Sequence, residues 1–166
     1  MSAGLGKLPE SEVDSGIDIQ VATGESSLPS PERLRRWVEA ALEGRPGEVS
    51  LRIVDEAEIA ALNARFRQRP GPTNVLSFPF DTPPGVPLTF LGDVVICAPV
   101  VVREAREQGK TEEAHWAHLV VHGVLHLRGF DHLTPEDAER MEARERAILA
   151  GLGFPDPYLI EEAHRS

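Results

Sequence analysis

An apolar stretch in the second half of the chain, with histidines at helical spacing, constrains the fold more than any other feature. Thr111 and two glutamates precede a long run of mostly apolar residues, which predicts a helix from about Glu113 to Leu127. His122 and His126 lie four residues apart, so their imidazoles project from the same face of this helix. Gly129 ends the pattern, because glycine readily adopts the positive φ of a sharp turn. We therefore expect a long helix that presents two histidines together and is followed by a chain reversal.

The reversal at Gly129 would bring a third histidine back toward the first two. His122, His126 and His132 could bind one divalent ion at about 2.0–2.1 Å and leave the fourth tetrahedral position to water, as in catalytic zinc sites. Zinc lowers the pKa of such a water to about 7 and makes it a usable nucleophile. Cys97 is the only cysteine, which excludes a thiolate-rich site. The sequence predicts one catalytic metal ion per chain, with zinc favoured; nickel or copper would accept the same ligands.

Three further histidines and one aspartate lie outside this predicted ligand set. His118 is one turn before the first ligand, and because three ligands are already placed, we expect it to form a supporting hydrogen bond. Asp131 could orient a ligand or the bound water, or it could serve only the turn. His115 is expected at the surface, and His164 lies in a polar tail. None of these four residues is predicted to be a metal ligand.

Apolar periodicity and turn residues predict four strands and about five helices. The predicted strands are Ile17–Thr23, Val49–Val54, Val75–Phe80 and Leu91–Cys97. The predicted helices run from Pro31 to near Gly44, from Asp55 through Ile59, Leu62 and Phe66, over 100–108, from Glu113 to Leu127, and from Pro135 to Leu149. Pro79 lacks a backbone donor, so the third strand is expected at a sheet edge, where it could hold an extended polymer.

Length and composition indicate a single domain. A chain of 166 residues, 41% of them hydrophobic, can bury a core without disulfides. Residues 1–15 are predicted to be a disordered N-terminal extension, which leaves residues 16–160 as one metal-dependent hydrolase domain. No apolar run approaches the roughly 20 residues that cross a bilayer, and the N-terminus lacks the apolar segment of a secretory signal. With a single cysteine, these features predict a cytoplasmic protein without a membrane partner.

The charge distribution limits how the chain could bind nucleic acid. A formal net charge of −10 argues against a protein that coats nucleic acid, because nonspecific affinity depends on many contacts between basic residues and phosphates. Arg65, Arg67 and Arg69 are nevertheless clustered. A local basic groove is therefore compatible with the sequence.

The histidine spacing is also that of the metzincin peptidases, whose zinc helix has the pattern HExxH followed by a glycine and a third histidine. The glutamate of that pattern is the general base, and Gly123 stands in its position here. Without this base, peptide hydrolysis should lose the roughly 10²–10⁴-fold contribution of acid–base catalysis. A peptidase is therefore the weaker interpretation.

Three segments resemble those of one known family. The stretch HGVLHLRGFDH, which ends at His132, resembles the signature of the YbeY family of bacterial metal-dependent endoribonucleases. LNARFRQRPGPTNVLSFPF at 62–80, LGDVVIC at 91–97 and the closing MEARERAILAGLGFPDPY are similar to other parts of that family, in the same order. The likeness extends from about residue 30 to Tyr158. Phe130 stands where the family commonly has tyrosine, and RQRPG where it has RGK.

The resemblance implies a fold, an activity and one further site residue. The implied fold is α+β, a small mixed four-stranded sheet packed with about five helices, with the metal-binding helix central. The implied activity is single-strand-specific RNA cleavage in rRNA 3′-end maturation and ribosome quality control, with single-stranded RNA, rRNA and the ribosome or its associated proteins as partners. Arg67 matches the arginine that the family needs for activity. Its planar guanidinium suits the charge that develops on a phosphodiester during cleavage. Arg65 and Arg69 could guide the RNA backbone, and for Asn74 and Ser77 turn hydrogen bonds and substrate contacts are equally open.

Two alternatives to the endoribonuclease stay open on the sequence. One is a zinc hydrolase related to peptidases, in which Asp131 or another carboxylate activates water. The other is a ribosome assembly or binding protein with a structural metal, in which His118 could complete a closed coordination shell. The physiological metal, the general base, the phosphodiester that is cut and the oligomeric state are left undetermined.

Overall fold

The structure is a computed structural model in which residues 16–81, 85 and 90–158 are described. The predicted N-terminal extension and His164 lie outside these residues. The strands are β1 (Ile17–Ala22), β2 (Glu48–Val54), β3 (Val75–Pro79) and β4 (Phe90–Cys97). The helices are α1 (Pro31–Leu42), α2 (Glu56–Arg67), α3 (Ala98–Gln108), α4 (Glu112–Leu127) and α5 (Pro135–Gly151). The element order predicted from the sequence is confirmed, with bounds that differ by only a few residues.

The four strands form one mixed sheet in the order β1-β2-β4-β3. Strands β1, β2 and β4 are parallel to one another, whereas β3 runs antiparallel to β4. The edge position predicted for β3 is confirmed, and Pro79 ends that strand opposite Gly92. One backbone edge of β3 therefore stays free of strand partners among the described residues.

Side-chain caps define three of the helix starts. Ser30, Thr111 and Thr134 each accept a hydrogen bond from the backbone N–H three residues later, at 3.1–3.2 Å. Asp55 occupies the N-cap position of α2, but its side chain does not cap the helix. Its carboxylate instead accepts hydrogen bonds from the Thr23 hydroxyl and from the Gly24 N–H, which ties the end of β1 to the start of α2.

Helix α4 is the centre of the fold. It packs on β3 and β4 and is flanked by the three helices α1, α3 and α5. Trp116 and Leu125 are fully or almost fully buried in the main core. Each large apolar side chain buried in this way contributes about 1.5–3 kcal/mol relative to an exposed one. The burial of α4 on several sides fixes the position of the histidines it carries.

A second, smaller core lies on the other side of the sheet, under α2 and α3. It includes Ile59, Leu76 and Val95. Phe66, which the periodic pattern groups with Ile59, does not join this core and is 51% exposed. No helix among the described residues has the length and apolarity needed to cross a bilayer.

Candidate active site

Three histidines converge where α4 ends. His122 and His126 project from one face of α4, and their ring centroids lie 4.7 Å apart. Gly129 has a φ of +102°, and the Phe130 N–H returns to the Leu125 carbonyl at 3.0 Å. The chain reverses there, which brings the His132 ring to 5.1 Å from the ring of His126. Local helix geometry and one glycine thus build the cluster.

The three imidazoles have the spacing of a metal-ligand set. One nitrogen from each of His122, His126 and His132 lies within 4.8 Å of the others. Nitrogens on a tetrahedral zinc at about 2.0–2.1 Å are about 3.4 Å apart, which falls inside this limit. Burial and the neighbouring histidines lower the pKa of His126 to about 4, so its ring is neutral near pH 7. The donor set fits a divalent ion.

A buried carboxylate holds the first of these histidines. Glu145 of α5 is 0% exposed, and its Oε2 lies 2.5 Å from Nδ1 of His122. Its other oxygen lies 3.2 Å from Nε2 of His118 and accepts a hydrogen bond from the Tyr158 hydroxyl. Burial alone would raise the pKa of Glu145, but the hydrogen bonds with His118 and His122 outweigh burial and hold that pKa well below its usual range. The ionised carboxylate accepts a hydrogen bond from Nδ1–H of His122, which leaves Nε2 unprotonated and able to bind a metal.

Glu145 is not among the site residues predicted from the sequence. The residue belongs to the apolar face of α5, between Met141 and the pair Ile148 and Leu149, all of which are buried. A charged residue on such a stripe is a recognisable signal of a buried polar partner. The identity of that partner could not be predicted, because His122 is on a different helix, 23 residues earlier in the sequence.

The predicted surface position of His115 is wrong. Its side chain is almost completely buried, and Nε2 lies 2.9 Å from Oε1 of Glu104 on α3. The same carboxylate accepts a hydrogen bond from Nδ2 of Asn74 at 3.1 Å. The half-buried carboxylate provides a partner for one of the two ring nitrogens of His115. Together these three side chains connect α4 to the loop that precedes β3.

A groove of about 590 Å³ contains the three histidines. Residues of β3 line it, together with Arg67, Asn74 and Leu133. Arg67 donates a hydrogen bond to the Ser77 carbonyl, and its guanidinium lies 5.2 Å from the centre of the Phe78 ring. The Ser77 hydroxyl faces α4 and donates a hydrogen bond to the Gly123 carbonyl at 3.1 Å. These contacts hold the arginine at the edge of β3, beside the histidine cluster.

Position 123 is closed to any side chain. A Cβ on Gly123 would lie 2.6 Å from Cγ1 of Val94 and 3.3 Å from the Ser77 hydroxyl oxygen. The glutamate of the HExxH pattern therefore has no space at this position. Asp131 accepts a hydrogen bond from the Leu133 N–H at 3.2 Å, which is the turn role that the sequence left open.

Comparison with known proteins gives a consistent set of relatives. The model of the family described as Endoribonuclease YbeY matches residues 19–153. A Methylococcus capsulatus protein named Endoribonuclease YbeY is 62% identical over 133 residues, which is 80% of this chain and 89% of that protein. A protein of the same name from Alkalilimnicola ehrlichii is 58% identical over 153 residues, covering 88% of this chain and 92% of its own length. The solution structure of TM1509 from Thermotoga maritima is 28% identical, with a TM-score of 0.52 over 81% of this chain and 91% of that one.

Proposed function

Because the chain belongs to the YbeY family of endoribonucleases, we propose that it cleaves single-stranded RNA in the histidine groove, with a divalent metal as cofactor. The observation that carries this proposal is the convergence of His122, His126 and His132 in a groove that also contains Arg67. We favour zinc, one ion per chain, because three neutral imidazoles suit it.

The metal site and Arg67 would act on opposite sides of the phosphodiester that is cleaved. His122, His126 and His132 would hold a zinc ion, which would supply water activation and Lewis-acid polarisation of a phosphoryl oxygen. Arg67 would donate hydrogen bonds to the non-bridging oxygens as they gain negative charge. Within the described part of the chain, one of its five N–H groups is engaged by the Ser77 carbonyl, so the others are available to substrate. Glu145 would keep His122 in the tautomer that offers Nε2 to the metal.

The biological setting is a further part of the proposal. We place the enzyme in the cytoplasm, acting on the 3′ end of rRNA and in ribosome quality control. The net charge of −10 limits its own attraction to RNA, so contact with the ribosome or its associated proteins would bring it to the substrate. The free Cys97 is buried, which is compatible with a reducing compartment.

The two alternative functions gain no support from the geometry. The peptidase alternative has no space for a glutamate at Gly123, and Asp131 is engaged in the turn. A closed structural site would need His118 as a fourth ligand, but its Nε2 lies at Glu145 rather than among the three ligand nitrogens.

The proposal is tested by cleavage of a labelled single-stranded RNA. Freshly purified protein, metal-stripped protein, zinc-restored protein and His126→Ala are compared under identical conditions. We expect activity to disappear on stripping, to return with zinc and to be absent in His126→Ala. Equal cleavage by all four samples would assign the activity to a contaminating nuclease and refute metal-dependent catalysis by this chain.

A further inference from the structure

Four phenylalanines form a strip on the sheet face opposite α4. Phe66 of α2 packs edge-to-face with Phe78 of β3, and Phe80 packs in the same way with Phe90 of β4, each pair with ring centroids 5.5 Å apart. Ser77 points toward α4, so Phe78 and Phe80, at alternate positions, face the other side of the sheet. We call Phe66, Phe78, Phe80 and Phe90 the aromatic strip.

The aromatic strip is exposed although it is strongly apolar. Phe66 is 51% exposed and Phe80 is 45% exposed, and both belong to the few large hydrophobic side chains that are exposed among the described residues. Phe78 packs at the margin of the smaller core, which anchors the strip to the fold. Exposed aromatic rings on a rigid sheet are typical of a binding surface rather than of a core.

Two arginines lie over rings of the aromatic strip. The guanidinium of Arg65 lies 5.1 Å from the centre of the Phe66 ring, and that of Arg67 lies 5.2 Å from the centre of the Phe78 ring. No carboxylate of the described residues forms an ion pair with Arg65, Arg67 or Arg69. Residues 62–81 contain these three arginines and one acid, Asp81, and Asp93 of β4 lies opposite Phe78, so these five charges sum to +1 in a chain of net charge −10. The strip is therefore suited to a ligand with both flat rings and negative charge.

The aromatic strip continues from the histidine groove around the edge of β3. Ser77 and Pro79 line the groove, whereas Phe78 and Phe80 belong to the strip on the other face. Arg67 borders both, because it lines the groove and covers the Phe78 ring. A polymer that leaves the groove across this edge meets Arg67 first and the rings next.

We propose that the aromatic strip is a base-stacking site for unpaired nucleotides that flank the cleaved phosphodiester. The inference rests on the proposed function, because it assigns the polymer in the groove to RNA. Unpaired bases expose both ring faces and can stack on phenylalanine, whereas paired bases are already stacked on their neighbours. The strip therefore supplies a physical basis for preference for single strands, and the arginines beside it bind the phosphates between the stacked bases.

Two substitutions at Phe66 separate stacking from simple packing. Phe66→Leu keeps an apolar contact with Phe78 but removes the ring, whereas Phe66→Trp keeps a ring that can stack. We expect Phe66→Leu to weaken the binding of a long single-stranded RNA about fivefold to tenfold, the low end of the range for losing one stacked base. Binding of a dinucleotide, which fits in the groove alone, should not change. Phe66→Trp should bind long RNA as tightly as the wild type does.

Fluorescence supplies a readout that a structural role would not produce. Both native tryptophans, Trp37 and Trp116, are buried and cannot stack on a bound base, so any RNA-dependent quenching that the Phe66→Trp protein shows beyond the wild type reports on the new exposed indole. We expect long single-stranded RNA to quench this emission and duplex RNA to leave it unchanged. Val21→Ala, at a comparably exposed apolar residue on β1, at the opposite edge of the sheet, is the matched control and should bind RNA normally.

Binding is measured by fluorescence anisotropy of labelled RNA on the intact protein, so the test does not depend on cleavage. If Phe66→Leu binds long RNA as tightly as the wild type, or RNA does not quench the Phe66→Trp emission, the stacking site is refuted while metal-dependent cleavage can still stand. If the wild type binds RNA through the strip but zinc restores no cleavage, the proposed function fails and the stacking site survives. A change confined to the oligomeric state of Phe66→Leu would refute the RNA site and identify a contact between copies of the chain.

Discussion

Replacing Glu145 by glutamine should weaken metal binding without unfolding the protein. The carboxylate contacts His122 through one oxygen and His118 and Tyr158 through the other. A glutamine of the same size has one acceptor oxygen and no charge, so whichever way its amide is oriented at least one charge-assisted hydrogen bond is lost. His122 then becomes a weaker metal ligand, and its ring is less firmly oriented.

The expected magnitude follows from the role of such outer contacts. Loss of the carboxylate behind a metal-bound histidine typically costs 10–100-fold in metal affinity, or about 1.4–2.7 kcal/mol. Glu145→Ala should destabilise the fold more, because it leaves three half-buried polar groups without their acceptor, each at a cost of up to about 1–3 kcal/mol of folding stability. The glutamine variant is therefore the informative one.

The assay is competition for zinc between metal-stripped protein and a chromophoric chelator. The matched control is Glu142→Gln, one turn earlier on the same helix, where the side chain is exposed and forms only a 3.7 Å ion pair with Arg146. We expect a dissociation constant 10–100-fold higher for Glu145→Gln and an unchanged value for Glu142→Gln. A folded Glu145→Gln protein with wild-type zinc affinity would refute the reasoning.

Three further predictions concern the same site. Arg67→Lys should lower kcat for RNA cleavage about 10²–10³-fold, because the point charge of lysine cannot replace the planar guanidinium and its paired hydrogen bonds. The control Arg69→Lys should change kcat little. Single-turnover cleavage of labelled RNA measures both effects. Gly123→Ala should cost about 1–3 kcal/mol in urea unfolding, because the new methyl group would overlap Cγ1 of Val94; wild-type stability would contradict the steric argument. In the folded metal-free protein the pKa of His126 is about 4, whereas in the unfolded chain it is near 6.5. As the pH falls, the unfolded chain therefore binds a proton before the folded protein does. The free energy of unfolding should decrease as the pH drops from about 6.5 toward 4. Thermal melting over that range should show a weaker pH dependence in His126→Gln, and an equal dependence would reject this assignment.

The histidine cluster could be predicted because short-range geometry builds it. His122 and His126 share a helix face because they are four residues apart in a helix. The turn that brings His132 back to them depends on one glycine, Gly129, three residues after His126. The edge position of β3 was predictable for a similar reason, since Pro79 cannot donate to a neighbouring strand. Local rules are sufficient wherever the interacting residues are close in sequence.

Contacts between distant segments could not be predicted in the same way. Glu145 and His122 meet only because α5 packs on α4, and His115 is buried only because Glu104 on α3 reaches it. Phe66 repeats at helical spacing and was grouped with the core residues of α2, but its side chain is 51% exposed. Each of these depends on tertiary packing, about which periodicity carries no information.

The most direct test of metal-dependent catalysis is a zinc titration of metal-stripped protein in which RNA cleavage is measured at each addition. If His122, His126 and His132 bind the one ion that catalysis needs, cleavage should rise linearly and stop rising at one zinc per chain. His132→Ala should recover no activity over the same range. Full cleavage before any zinc is added, or a plateau that requires several ions per chain, would contradict a single catalytic metal at this site.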